Sequence, residues 1–330
     1  MTQALPVEGT TPGTARRGAT RTGPGIALAL ASAAAFGTSG AVARPLLDTG
    51  WSPGAVVTFR VGVAAVVLGV PTLLALRGRW GALRRNAGVV LGYGVFAVAG
   101  AQLAYFSAIQ HLSVAVALLI EYLAPVLIVG YLWARTGRRP NRLTVIGGVL
   151  SLAGLALVLD LTGQVQVSLV GVLWALGAAM GLSAYFLLSD HGSDGDDAVP
   201  PLALAGAGLT IGAAVLVLAG VTGILPMRAS TADVAMAGLG VPWWVAGLEL
   251  ALLTAAFAYV TGVMAVRRLG STVGSFVALT EVMFAVLFAW LLIDQLPAPV
   301  QLLGGVLIVA GVVAVRLGET QRRRRARRPS

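Results

Sequence analysis

Cysteine and lysine are both absent from this chain, and histidine occurs only twice, as His111 and His191. Without cysteine there is no disulfide, no thiol nucleophile and no thiolate metal site. Without lysine there is no phosphate-binding P-loop of the Walker type, so the chain alone does not drive work with ATP. Both histidines fall between apolar runs and no aspartate lies well inside one. The Ser/His pair, paired aspartates or His-Glu-x-x-His zinc site of an intramembrane protease are therefore missing. The chain reads as not an enzyme, and it calls for no cofactor or metal. Charge is scarce as well, at 11% of residues against about 25% in a soluble domain. With 57% hydrophobic residues in a chain of 330, no soluble fold has enough interior, so lipid must be the solvent for most of it.

What charge there is lies in revealing places. All 23 basic residues are arginine, and six of them crowd the last stretch, Arg322 to Arg325, Arg327 and Arg328. That pattern suits a solvated tail beside anionic headgroups. A nucleic-acid partner would need a basic face on a soluble domain, and none is present. The first 24 residues are polar, with Arg16, Arg17 and Arg21, and the apolar run behind them (Ile26 to Val42) is too long for a signal peptide.

Apolar runs of about 20 residues, the length that crosses a bilayer, predict ten spans near 25–45, 53–76, 87–109, 113–134, 143–161, 168–189, 200–224, 242–265, 271–293 and 299–317. The connection from Leu225 to Val241 is itself half apolar, which leaves the edges of the seventh and eighth spans the least defined. The organisation expected is a disordered tail over 1–24, five spans over 25–161, five more over 168–318 and a basic tail over 319–330. With both ends in the cytoplasm, 20 of the 23 arginines fall on that side, two (Arg44 and Arg228) fall outside and Arg60 lies within a span. The positive-inside rule then predicts a multi-pass protein of the cell (inner) membrane with cytoplasmic termini.

The two halves repeat one another. Moved by 157 positions, Ala108–Val158 lands on Ala265–Val315 without a gap: Trp133 meets Trp290, Pro140 meets Pro297, and Gly147 and Gly154 meet Gly304 and Gly311. A shift of 144 more weakly places Gly37 and Ser39 on Gly181 and Ser183. Five spans per repeat is an odd number, so the halves enter the membrane from opposite sides. The expected fold is all-α, ten transmembrane helices as two inverted five-helix repeats, with a solute site between them near the midplane.

Four ionisable residues lie inside predicted spans: Arg60, Glu121, Glu249 and Glu281. A charge at mid-span costs about 2.5–3.5 kcal/mol on insertion scales, which a wet cavity or a partner can offset. Arg60, Glu121 and Glu249 each fall seven or eight residues into a span entering from outside, roughly 10–12 Å deep at 1.5 Å per residue. The reading is a polar layer in which Arg60 pairs with Glu121 or Glu249, or meets a solute carboxylate. A structural ion pair that fixes helix register remains the plainer alternative. Glu281 lies nearer the midplane. Burial disfavours a charged carboxylate, a property that suits Glu121 or Glu281 to carrying protons as coupling ions. Gln102, Tyr105, Tyr122, Trp174, Tyr185 and Tyr259 are the polar and aromatic companions, Trp174 and Tyr105 foremost, although such residues more often pack helices or mark the interface. Trp243 and Trp244 read as an interface anchor. Gly147 with Gly154, and Gly304 with Gly311, each share a helix face and let backbones approach in lipid. They would join the fifth and tenth helices, within a protomer or across a homodimer. Pro125, one turn after Glu121, frees that residue's carbonyl and makes a hinge; the second half has no proline there.

These residues resemble the paired domains of EamA-type transporters in the drug/metabolite transporter superfamily, over about residues 25–318. Val114–Arg135 is similar to the fourth helix of the branch that includes threonine/homoserine and other amino-acid exporters, "ASAAAFGTSGAVARPLL" to its first helix, and Thr58–Arg60 to part of its second. The family's Glu-Pro pair in the ninth helix stands here as Glu281-Val282. The resemblance implies a central cavity lined by helices one to four and six to nine, with five and ten as an outer pair. It also implies secondary transport of a small-molecule solute, usually export and often proton-coupled. Amino acids or similar amphipathic metabolites are the leading solutes; cationic drugs or lipid-linked substrates are the alternative on the same scaffold.

Overall fold

The computed structural model describes residues 22–112, 114–137, 139–159, 168–191, 198–236, 238–293 and 298–326. The tail expected over 1–24 falls outside these almost entirely, as do most of the acidic connection 190–197 and the last four residues. Ten apolar helices account for nearly everything else: α1 (Gly23–Asp48), α2 (Pro53–Ala75), α3 (Ala87–Ala108), α4 (Val116–Thr136), α5 (Arg142–Val158), α6 (Leu169–Asp190), α7 (Pro201–Val221), α8 (Trp243–Leu269), α9 (Ser271–Phe288) and α10 (Pro299–Gln321). All but α5 are long and apolar enough to cross a membrane. At 17 residues, α5 rises about 25 Å, the short end of what spans a hydrocarbon core.

Local chemistry sets several ends. Ser52 caps α2 by accepting from the amide of Ala55, with Pro53 in the first turn, and Asn141 and Ser168 cap α5 and α6 in the same way. Gly270 joins α8 to α9 with φ of 87°, a conformation only glycine adopts cheaply. The half-apolar connection before α8 holds a small hairpin, β1 (Val234–Met236) paired antiparallel with β2 (Leu239–Val241). Val234 is completely buried against Val42, Leu46, Trp51 and Ala55. The same connection is tied to the α1–α2 turn: Trp51 Nε1 donates to the Ser230 carbonyl at 2.8 Å and Ser52 Oγ to that of Pro226 at 2.6 Å. Trp243 stacks into this cap against Trp51 and Phe59, while Trp244 is exposed. At the far end of the chain the helix containing α10 runs on to Ala326, so the basic stretch expected as a tail from 319 is helical through 326.

The repeat is visible in the irregularities as well as in the regular parts. Residues 93–100 of α3 are wound as π-helix, and so are Leu252–Phe257 of α8, which overlap the first segment after the 157-residue shift. α4 breaks at Tyr122–Leu123 and α9 at Leu279, the shifted position of Tyr122. In α4 the break precedes Pro125, which has no amide to offer the Glu121 carbonyl. The second half has no proline at the matching position, yet α9 breaks without one. Its backbone tightens to three-residue bonds, Leu279 to Phe276 at 3.2 Å, and the Thr280 hydroxyl takes the Val277 carbonyl at 2.7 Å. A threonine bonding back along its helix does there what proline does in α4. α1 is also interrupted, at Thr38, whereas α6 runs unbroken.

α5 and α10 lie back to back within the protomer. A Cβ added to Gly147 would stand 2.5 Å from the Gly311 carbonyl oxygen, and one on Gly154 would stand 2.5 Å from that of Gly304. Gly147 corresponds to Gly304 in the repeat, and Gly154 to Gly311. Each glycine thus meets the counterpart of the other, the contact pattern of a two-fold axis running between the helices. The pattern places the inverted-repeat axis through this seam.

Candidate functional site

Near the middle of the bundle is a cavity of about 100 Å³. α1, α3, α4, α6, α8 and α9 line it; α2 and α7, expected to contribute, do not. Small residues of α1, α8 and α9 make its floor on the side of the termini, where Ala29 packs with Ala265, Leu269, Val273 and Val277. Below that, a Cβ on Gly25 would touch Arg268 and Leu269 at 3.0 Å, so α1 and α8 are closed against each other. Rings form much of the wall: Tyr259 meets Phe36 edge-on at 5.5 Å and Tyr185 at 5.6 Å, and Tyr185 meets Phe186 at 5.0 Å.

Two carboxylates reach this space, Glu121 from the first repeat and Glu281 from the second. Tyr122 lines the same space beside them. Among the described residues lining the cavity there is no arginine. Each glutamate stands beside the break in its helix. On the terminus side of the breaks, 124–136 of α4 packs against 271–278 of α9; past them, Leu118 and Leu119 share an apolar cluster with Val282, Met283 and Val286. The acids therefore sit where the two broken helices come together.

Arg60 forms no ion pair with Glu121 or Glu249, which corrects the pairing read from depth alone. Its guanidinium is buried behind the cavity wall and bonds to neutral partners: the Thr254 carbonyl at 2.7 Å, Gln102 Oε1 at 3.3 Å and Ser39 Oγ at 3.3 Å. The ring of Phe36 lies 5.8 Å from its carbon, a cation–π distance. The Thr254 carbonyl belongs to the π segment of α8, where the ordinary helical acceptor direction is displaced and a side chain can claim it. Glu249 is half-buried on the same side, accepting from Thr38 Oγ1 at 2.7 Å where α1 is interrupted. Depth puts the three charges at one level, but the helical face each occupies sends Glu121 to the cavity and Arg60 and Glu249 to a layer beyond Phe36.

Gln102 belongs to both groups. It lines the cavity, accepts from Arg60, and donates from Nε2 to the Tyr259 hydroxyl at 3.3 Å. Tyr259 is 3.5 Å from the Ala97 carbonyl in the π segment of α3. Tyr122 and Tyr185 also line the space. Tyr105 is half-buried against Phe106 beside the lining without being part of it. Trp174 is 41% exposed on the outside of α6, which separates it from the cavity. Its neighbours Leu173 and Leu176 are exposed too, the signature of a lipid-facing arc. Ser32, Phe36 and Phe186 belong to the lining and were not singled out by sequence, since lone serines and phenylalanines in apolar runs carry no signal. Ser39 was visible as part of the weaker repeat match.

A family model described as the EamA-like transporter family matches residues 23–160 and 169–317, dividing the chain between α5 and α6. Among solved structures, one described only as "Crystal structure of protein" superposes with a TM-score of 0.70 at 21% identity, covering 91% of this chain and 97% of that one; at that identity it speaks for the fold. No curated protein sequence matches. The two-repeat match, the ten helices and the two-fold glycine seam agree, and the chain belongs to the EamA-like transporter family.

Proposed function

We propose that this membrane transporter is a secondary exporter of small amphipathic amines, the class to which amino acids belong, working by alternating access in exchange for protons. The observation that carries the reading is the pair Glu121 and Glu281, one from each repeat, facing one small aromatic cavity with no arginine in its lining. Two carboxylates removed from water call for a counter-charge. A proton or the ammonium group of a solute can supply it, and one displacing the other is the exchange a coupled exporter needs. The surrounding rings favour an ammonium by their faces.

The broken helices supply the motion. Here α4 beyond its break packs against α9 before its break, on the terminus side. Inverted repeats can trade conformations. The trade would tighten 116–121 against 280–288 and open the terminus side, delivering the acids to the opposite compartment. With the arginine bias as the guide to orientation, the termini are cytoplasmic and the membrane is the cell's inner one. A C-terminal reporter fusion active only in the cytoplasm is the expected outcome; a fusion active only outside reverses the orientation.

The same acid and aromatic wall also fits lipophilic cations, which keeps cationic drugs as a second reading. Cells expressing the protein and preloaded with labelled amino acids, threonine and homoserine included, and in parallel with an aromatic amine and a quaternary ammonium dye, separate the two. Efflux above control of amines or amino acids that is lost when the proton gradient is collapsed is the result expected. Efflux of the quaternary dye alone favours the second reading, and efflux of none, from protein shown to be inserted, removes both.

A further inference from the structure

Arg60 lies too far behind the wall to be part of the cavity lining, yet it decides what one wall of the cavity offers. A guanidinium has only donors, so the side of the Gln102 amide turned to it must be the oxygen. The amide nitrogen then faces the other way. One of its two hydrogens goes to Tyr259, and the Tyr259 proton points on to the Ala97 carbonyl. The donor direction of this chain is fixed from end to end: Arg60 to Gln102, Gln102 to Tyr259, Tyr259 to Ala97. Arg60 is itself held by the Thr254 carbonyl and Ser39. Among the described residues Gln102 is left with one N–H uncommitted, on a side chain that lines the cavity and is backed by a positive charge. The acids Glu121 and Glu281 contribute the acceptors of the same space.

We infer that Arg60 is a positioning residue that locks Gln102 as a hydrogen-bond donor to the cavity, so that the preferred solute carries an acceptor, a carbonyl or carboxylate oxygen, besides its amine. The inference rests on the amine reading above and narrows it from ammonium compounds at large to amines bearing a carbonyl group. A simple amine would fill the acidic side and offer the Gln102 N–H no acceptor, whereas an amine with a carbonyl group adds a hydrogen bond inside the cavity.

The test is a ratio. Phenylalaninamide and phenethylamine share a ring and an ammonium group and differ by one carboxamide. Their dissociation constants are measured on the purified full chain in lipid nanodiscs. The wild-type protein is expected to prefer phenylalaninamide by about tenfold, the scale of one buried hydrogen bond. Gln102→Glu places an acceptor where the donor was, and the ratio should fall to about one or invert. Arg60→Ala frees the amide to turn over, and the ratio should fall there too. A purely structural role for either residue would weaken both ligands together and leave the ratio intact. Equal affinities in the wild type, or a ratio unmoved by Gln102→Glu, overturns the inference while the amine reading stands. Binding of neither compound overturns the amine reading and the inference with it. The wild-type ratio needs no variant, so a misfolded substitution does not shield the claim.

Discussion

Replacing Glu281 by glutamine is expected to stop proton-driven export while the protein still inserts and folds. The substitution keeps the size and removes the charge of one of two carboxylates facing the cavity. Losing one partner of a charge pair shielded from water costs about 2–5 kcal/mol, which is roughly a 30-fold or greater loss of affinity for an ammonium solute. The loss should exceed that in a coupled assay, because the glutamine can neither take nor release a proton and the exchange cycle has no second passenger. Glu121→Gln should act in the same direction, since the two acids come from the two repeats and meet in one space. Glu249→Gln is the informative contrast. Glu249 bonds Thr38 in the layer beyond Phe36 and is not among the lining residues, so its loss should leave proton dependence in place. Counterflow of labelled solute at several imposed pH gradients checks all three. If Glu281→Gln keeps a normal response to the gradient, the acid pair is a structural feature and the coupling lies elsewhere.

The second large effect concerns folding. Gly311→Leu should prevent α5 and α10 from closing on each other, because even the first carbon of a side chain would stand 2.5 Å from the Gly147 carbonyl oxygen. Backbone cannot give way as a flexible side chain can. Overpacking of this kind costs 1–3 kcal/mol and at times more, and in lipid there is little apolar drive to hold an imperfect seam together. The two-fold pattern adds a sharper expectation: Gly154→Leu, the repeat counterpart, should destabilise by a similar amount. Val313→Leu, on the same helix but half-exposed, should change little. Thermal unfolding in detergent with a fluorescent or size-exclusion readout measures the series. A harmless Gly311→Leu would mean that the seam is looser than drawn and that the pair does not define the axis.

Much of this molecule can be read without coordinates, for a physical reason. Bilayer thickness sets span length, so long apolar runs between arginine clusters translate almost directly into helices. The inverted repeat was legible because Trp133 and Trp290, and four glycines, keep one spacing in sequence otherwise dominated by alanine, leucine and valine. Rise along a helix follows directly from sequence, at 1.5 Å per residue. Azimuth does not. Each residue turns the face by about 100°, and the π segments in α3 and α8 add a further offset that no residue type announces. The pairing of Arg60 with Glu121 or Glu249 accordingly gives way to bonds with Thr254, Gln102 and Ser39. Trp174 was given a solute and has an exposed outer face instead. The break in α9 escaped because proline was taken as the sign of a hinge, while Thr280 reaches the same end through its hydroxyl. The hairpin before α8 has strands of three residues each, too short for any alternation to show.

One measurement bears on the account most directly. The purified protein is reconstituted in liposomes carrying an internal pH indicator, an inward gradient of phenylalaninamide is imposed, and proton movement is followed. The account predicts that entry of the amine drives protons out through the wild-type protein, and that Glu281→Gln vesicles show no such exchange. Amine entry with no proton movement, or proton movement undiminished in Glu281→Gln, would contradict the assignment of the paired glutamates as the shared seat of solute and proton.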